Sequence, residues 1–359
     1  TIRNYYIAAE ESVWDYAPSD QDRILGVRLE DSERARGIMV NGPGRVGHQY
    51  RKALYHGYTD ISFSKRLPQP TWQGFLGPTI RAEVGDVIRV WFWNRATRPY
   101  SIHPHGVLYE LDSEGAWYAG SGRGGRVEPG ARFVYTWEVP ERAGPASRDR
   151  GSVLWIYHSH VDPQSDLYAG LIGSIIVYRR GLLPGDGPSV GLYATQNTPA
   201  KRAPTGLSST EFDREYIVLM TVTDENLSPY AASNIKEFAH NQTNVPIPGR
   251  APAAPEYNLN DPGFMESNMV HNINGRVYGN LDGLETRVGE RVRWYLAAVG
   301  SQMDLHTAHF HGATVVEHGA RKDVIDLLPS SFHTVDMRPD VPGKWLFHCH
   351  VDDHMASGM

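Results

Sequence analysis

The chain has 359 residues and a net charge of −6, so it is long enough for two domains with cores of their own and carries no basic footprint for nucleic acid or anionic lipid. Its 40% hydrophobic and 21% charged residues are ordinary for a globular protein, and no apolar run approaches the ~20 residues of a membrane helix. The residues after Thr1 lack a signal-peptide pattern, and the single cysteine, Cys349, excludes disulfides within the chain and asks for a chemical reason.

In chain order, short β-branched and aromatic runs alternate with Gly/Pro turns, which predicts an all-β protein. Val84-Gly85-Asp86 leads into Val90-Trp91-Phe92-Trp93, Pro129-Gly130 into Phe133–Trp137, and Ile172–Val177 closes the first series. Residues 181–212, rich in Pro, Gly, Ser and Thr, read as a linker. A second series opens at Tyr216–Met220, continues through a long polar loop over 229–262, and repeats the earlier signal as Val288-Gly289-Glu290 followed by Trp294-Tyr295-Leu296. His103-Pro104-His105-Gly106 returns as His309-Phe310-His311-Gly312, and His158-Ser159-His160 as His348-Cys349-His350. The same order of signals occurs twice. Residues 1–180 and 213–359 are therefore expected to be two copies of one Greek-key sandwich or barrel.

Ten of the 16 histidines fall into four groups. On a strand, residues i and i+2 share a face, so each HxH presents two imidazoles side by side. Imidazole alone suits copper, zinc, iron or nickel. Cys349 narrows the choice, because its odd offset turns it away from His348 and His350, and His306 is likewise turned away from His309 and His311. One face then carries His306 and Cys349, with His354 and Met359 returning from the following loop. Two imidazoles, a thiolate and a thioether are the ligand set of a blue copper centre. The other face carries His309, His311, His348 and His350, which with His103, His105, His158 and His160 could hold several coppers. Structural zinc, which commonly uses several cysteines, fits poorly. In the first half Ser159, Tyr100 and Gln164 stand where the second half has Cys349, His306 and His354, so one blue site is expected, in the second half.

The signatures HxHG, HxH, HxxHxHG and HCHxxxHxxxxM resemble those of multicopper oxidases. Tyr5–Glu11, Trp14-Asp15-Tyr16, Gly74–Pro78, Gly170–Gly173 and Asp224-Glu225-Asn226 are similar to the ceruloplasmin and hephaestin ferroxidase branch, in particular the last two domains of ceruloplasmin. The resemblance implies two cupredoxin-like domains and four coppers per chain. It assigns a type 1 copper to His306, Cys349, His354 and Met359, and a type 2 copper to His103 and His309. A type 3 pair falls to His105, His158, His160, His311, His348 and His350. It makes Cys349, His348 and His350 the electron path to dioxygen, which is reduced to water. It also implies a location outside the cytoplasm. Ceruloplasmin is a ring of six such domains, so a two-domain chain is expected to form a homotrimer with each cluster shared between subunits, the rival being a monomer.

The reductant is less determined. The resemblance places an iron-substrate site at Glu266, His271 and Asp353, but its fourth position, a glutamate in the family, is Gln302. The competing reading is a laccase-like oxidase of phenols and aromatic amines, acting at the edge of His306 or His354. Cuprous-ion oxidation is disfavoured by only 8 Met and no Met-rich segment. Nitrite reductases carry the blue site in the first domain and lack the eight histidines. Coagulation-factor A domains share the scaffold with degraded sites, whereas here every ligand position is filled. The partners expected are dioxygen and a small reductant, with no nucleic acid and no membrane span.

Overall fold

The computed structural model describes residues 1–42, 44–183, 211–239 and 262–359. In Val87–Asn94 every second side chain is buried, the signature of a strand with one face on a core. This strand lies in a five-stranded sheet ordered Gln49–Tyr58, Ile2–Asp15, Val87–Asn94, Arg132–Glu138, Leu108–Tyr109. A second sheet, ordered Ile80–Glu83, Ile172–Tyr178, Ser152–His158, His103–Pro104, belongs to the same half.

The second half repeats this plan. Its larger sheet runs Met269–Ile273, Arg214–Asp224, Val292–Ala298, Phe332–Met337, Val315–Glu317, Ala320–Lys322, and its smaller one Val324–Leu327, His306–Phe310, Phe347–Cys349. In both halves the opening strand is antiparallel to one neighbour and parallel to the other, so the duplication in sequence is also one of topology. Both halves are all-β and cupredoxin-like, as expected. The described helices are short, seven residues at most. One expectation is corrected: within the loop predicted over 229–262, Ala231–Asn234 and Ile235–Ala239 are helical. There Asn234 bonds the backbone of Arg51 through its side chain, at 2.7 Å to the amide, and so ties the turn to the first half. The central linker (184–210) and the rest of that loop (240–261) lie outside the described residues.

Ile172–Tyr178 and Val292–Ala298 are buried at every position, because the two halves pack against each other and leave these strands no solvent face. One buried apolar cluster runs through both, from Leu154 and Ile176 to Tyr216 and Tyr295. Trp72 meets Tyr216 edge to face at 5.4 Å. Glu215 accepts from Arg81 and Tyr178, each at 2.8 Å. Deepest is the Lys52–Glu225 ion pair, with side chains 0% and 1% exposed. Lys52 also donates to the Tyr168 carbonyl at 2.7 Å, and Tyr16 donates to Glu225 at 2.6 Å. Burial pulls the Lys52 ammonium down and pushes the Glu225 carboxyl up, each opposed by its partner's charge. Lys52→Met, which strands the carboxylate, should therefore lower the unfolding free energy by about 3–5 kcal/mol in urea titrations. The double variant Lys52→Met/Glu225→Leu should recover most of that loss.

Candidate metal centre

Burial alternates along His306–Phe310, so His306, Ala308 and Phe310 face the core while Thr307 and His309 face the other way. The partner strand Phe347–Cys349 sets Cys349 opposite Ala308 and His348 opposite His309. Cys349 and His306 thus share the inner face. The short helix Asp352–Ala356 brings His354 back to it. Gly358 (φ +105°) then turns the chain where a Cβ would stand 2.7 Å from the Tyr278 ring. This turn returns Met359, whose amide donates to the His354 carbonyl (3.0 Å) and whose carbonyl accepts from Cys349 (3.3 Å). Met359 is buried.

The donor atoms converge. Nδ1 of His306 and Nδ1 of His354 are 3.1 Å apart, and Cys349 Sγ is 3.8 Å from each. Imidazole and thiolate bind a first-row ion such as Zn²⁺ at about 2.0–2.1 and about 2.3 Å. Donors at those distances stand about 3.1 Å apart for an N–ion–N angle near 100°, and about 3.8 Å apart for an S–ion–N angle near 120°. The three side chains are therefore spaced for one trigonally bound ion. Burial raises the Cys349 thiol, but hydrogen bonds from His306, His354 and the amides of Thr307 and Val351 outweigh it and bring the thiol from 9.0 to about 6. At neutral pH the group is a thiolate, the form that binds metals.

The other imidazoles form two matching sets. Donor atoms of His103, His105 and His158 lie within 4.8 Å of one another, and so do those of His309, His311 and His348. His160 and His350 complete them, with rings 5.1 Å from His103 and 5.2 Å from His309. Main-chain carbonyls hold Nδ1 of His103 (Glu114, 2.6 Å), His158 (Ser159, 2.9 Å), His309 (Asp323, 3.2 Å) and His348 (Cys349, 2.8 Å). A carbonyl can only accept, so Nδ1 carries the hydrogen and Nε2 keeps its lone pair. His158 and His348 turn Nε2 toward Nε2 of His105 and of His311, 3.1 and 3.0 Å away. Burial, then mutual repulsion, lowers His105 to about 4, and burial carries His158 to about 3, so both are neutral ligands at pH 7. Nδ1 of His160 is buried without a protein partner. The pairs straddle strand ends rather than lying within strands, since the strands stop at Pro104, His158, Phe310 and Cys349. Among the described residues the ring contacts between these histidines stay within one half, and across the interface His105 meets Phe332 at 6.0 Å.

The first half has no second thiolate site. Ser159 donates to Asp166 at 2.6 Å, Tyr100 pairs with Tyr230 at 2.9 Å, and Gln164 is exposed. The expected iron donors are not gathered either. His271 is buried, its ring 4.8 Å from that of His354, but Glu266, Asp353 and Gln302 are exposed and form no donor group with it within 4.8 Å. A residue that the motif reading passes over is Asp304, fully buried and 3.3 Å from Nε2 of His306. Its signal is the DxH spacing, which a search for metal-binding side chains alone does not weigh.

Residues 58–181 and 250–359, which are 124 and 110 of the 359, each match the profile of the multicopper oxidase family. The chain belongs to the multicopper oxidase family. It is 39% identical to mouse (Mus musculus) ferroxidase HEPHL1 over 363 residues, covering 99% of this chain and 29% of that protein. It is 38% identical to mouse hephaestin (100% and 29%) and 38% identical to human (Homo sapiens) ceruloplasmin (99% and 30%). The chain thus spans about three-tenths of the length of these relatives. Among solved structures, a multicopper oxidase superposes with TM-score 0.56 at 18% identity, covering 99% of this chain and 86% of its own. The blue copper oxidase of Nitrosomonas europaea gives 0.54 at 19%, covering 98% and 80%, and both likenesses speak for the fold. Copper is the metal this multicopper oxidase family implies, and a thiolate with two imidazoles, beside eight further imidazoles, is a donor set that suits it. Among the described residues no helix is long and apolar enough to cross a membrane.

In the metal-free protein the ultraviolet absorbance of the Cys349 thiolate should titrate with a midpoint near 6, moving up in His306→Ala. The folded value lies below the ordinary 9.0 of an unfolded chain. The thiolate's contribution to stability is therefore full above pH 9 and lost as pH falls through about 6, so metal-free protein should unfold at rising temperature between those limits.

Proposed function

We propose that this chain is a two-domain blue multicopper oxidase, residues 1–180 and 213–359 being its domains, that oxidises Fe²⁺ and reduces dioxygen. Four Fe²⁺ give four electrons, and with four protons one O₂ becomes two waters. The observation that carries this reading is the convergence of His306, His354 and Cys349 at 3.1 and 3.8 Å, with His348 and His350 peptide-bonded to either side of that thiolate. When bound, copper supplies the one-electron redox chemistry that oxidises the reductant and reduces dioxygen.

The protein's part is to place the donors. In this reading His306, Cys349, His354 and Met359 hold the type 1 copper, and His103 and His309 the type 2. His105, His158, His160, His311, His348 and His350 hold the type 3 pair, completing four coppers. The Cys349 side chain faces one donor set while its neighbours His348 and His350 face the other, so a few bonds of backbone join the two. Among the described residues no donor group draws on both four-histidine sets, and in this reading a second copy completes the cluster. A head-to-tail interface that closes gives a ring, and the homotrimer is the form proposed, working outside the cytoplasm.

Fe²⁺ is favoured over other donors by His271, a neutral imidazole lowered to about 4 by burial, whose ring lies against His354. Its Nδ1 is held by the Met269 carbonyl at 3.1 Å, which leaves Nε2 free to meet a metal ion. The ferroxidase named among the relatives points the same way. Glu266 and Asp353 would close on the ion when it arrives. A second reading, oxidation of phenols or aromatic amines, is favoured by the neutral Gln302 and by the exposure of both carboxylates.

The deciding measurement is kcat/KM for Fe²⁺ and for 2,6-dimethoxyphenol on one copper-loaded blue preparation. The iron reading expects a preference for Fe²⁺ above tenfold, with Asp353→Ala lowering Fe²⁺ oxidation while phenol oxidation stays within twofold. A phenol preference overturns it. Cys349→Ser should lose the blue colour and turnover of both donors while retaining copper at the eight histidines. Light scattering of active protein should give three times the 40.1 kDa chain mass, and active protein at one chain mass rules the ring out.

A further inference from the structure

Of the ten grouped histidines, His306 stands apart in how its second nitrogen is held. His103, His158, His309 and His348 donate Nδ1–H to main-chain carbonyls and offer Nε2. His306 does the reverse: Nδ1 points to Cys349 and His354, and Nε2 lies 3.3 Å from Asp304 Oδ1. Among the hydrogen bonds of the described residues, it alone of the ten is paired with a carboxylate.

That carboxylate is itself fixed. Asp304 has no exposed surface. Oδ1 accepts from the Val222 amide at 2.6 Å and Oδ2 from the Ser301 amide at 2.7 Å. Gly300 (φ +127°) closes over it where a Cβ would stand 2.2 Å from Oδ2. Each oxygen thus takes an amide donor, and Asp304 stands as an acceptor toward the ring. Both oxygens of Asp304 already accept, so the shared hydrogen sits on Nε2 of His306, and Nδ1 is the nitrogen turned to Cys349 Sγ.

The duplication supplies an internal comparison. Tyr100 occupies the place of His306 in the first half, and the residue two before it, in the place of Asp304, is Arg98. Arg98 is exposed. The carboxylate is present in the copy that keeps the imidazole and thiolate, and replaced by a cation in the copy that has neither.

We infer that Asp304 is a positioning residue for the blue site. It holds His306 with a hydrogen on Nε2 and Nδ1 aimed at the ion, and by accepting that Nε2–H it makes the imidazole a stronger donor to the oxidised, more highly charged state of the metal. The inference rests on the reading of His306 as a type 1 ligand. Partners of this kind are worth about 10–100-fold in metal affinity when removed.

The test uses the full chain, wild type and Asp304→Asn and Asp304→Ala. In metal-free protein, ¹⁵N spectra of the His306 ring report the tautomer without any metal. Wild type should show Nε2–H, and both variants a mixture or the Nδ1–H form. Titration with Cu²⁺ and with Cu⁺ should then show Cu²⁺ held at the blue site at least tenfold more weakly in the variants. Cu⁺ should change less than threefold, which raises the reduction potential. A residue serving only to brace the fold would lower the melting temperature and leave tautomer and potential unchanged, and that result overturns the inference. If Asp304→Ala does not fold, Asp304→Asn, which keeps the shape and an oxygen acceptor, carries the test. A wild-type chain that takes up no blue copper instead overturns the assignment of His306 as a ligand, independently of its tautomer.

Discussion

The site depends on the register between two short strands, His306–Phe310 and Phe347–Cys349. With Ala308 opposite Cys349 and His309 opposite His348, one ladder sends a thiolate and an imidazole inward and two imidazoles outward. A slip of one residue would exchange the faces and mix the donor sets. The register is anchored beyond the ligands by Phe310 packed at a tilt against Phe347 at 4.7 Å and by Trp294, 5.2 and 5.6 Å from them. Such aromatic pairs contribute about 0.5–1.5 kcal/mol each beyond their area. The backbone adds the His350 amide bonded to the Thr307 carbonyl at 2.8 Å, continuing the pairing past the last strand residue. Small Ala308 across from Cys349 leaves the sulfur its space.

That ladder also explains why the two donor sets differ chemically. Outward imidazoles reach main-chain carbonyls, neutral acceptors available at any strand end, and so expose Nε2. The inward imidazole has neighbours already paired within the sheets, and the group that meets its ring is a side chain from the preceding loop. Carbonyl and carboxylate select opposite tautomers relative to the ion, and they differ by a full charge. One fold thereby offers ligands of two strengths a few bonds apart.

Much of this was legible because strand parity is rigid. The opposition of His306 to His309, and of Cys349 to its neighbours, follows from period two and survives even though the strands end at the ligands themselves. The repeat predicted two copies of one plan, and the halves share it at the opening strands while their sheets differ in size, five and four strands against six and three. What parity could not supply is anything set by a loop or by another part of the chain. The helical turns at 231–239 form on the first half, through Asn234 to Arg51, and no local pattern announces that partner. The placement of the Asp304 carboxylate depends on Val222 and Ser301, one on a distant strand and one in the loop before it. Glu266, His271 and Asp353 come from three separate elements, and spacing says nothing about the distances among them.

The first half shows what the duplicated frame does with a vacated ligand pocket. Tyr100, in the place of His306, pairs with Tyr230, which in turn donates to Glu11 at 2.8 Å, tying a second-half segment to the opening strand. Ser159, in the place of Cys349, donates to Asp166, whose carboxylate also accepts the Val161 and Asp162 amides at 3.0 and 3.1 Å. Burial still raises Asp166 to about 6, so these donors only partly offset the lost water. Donor positions have become hydrogen-bonded joints, some of them between the halves. The outward face was kept, with its four imidazoles in the same mutual arrangement as in the second half. A pocket that has turned to bracing cannot also take up an ion. One thiolate-bearing donor group therefore remains, and it lies in the half where Asp304 and His271 flank the imidazoles.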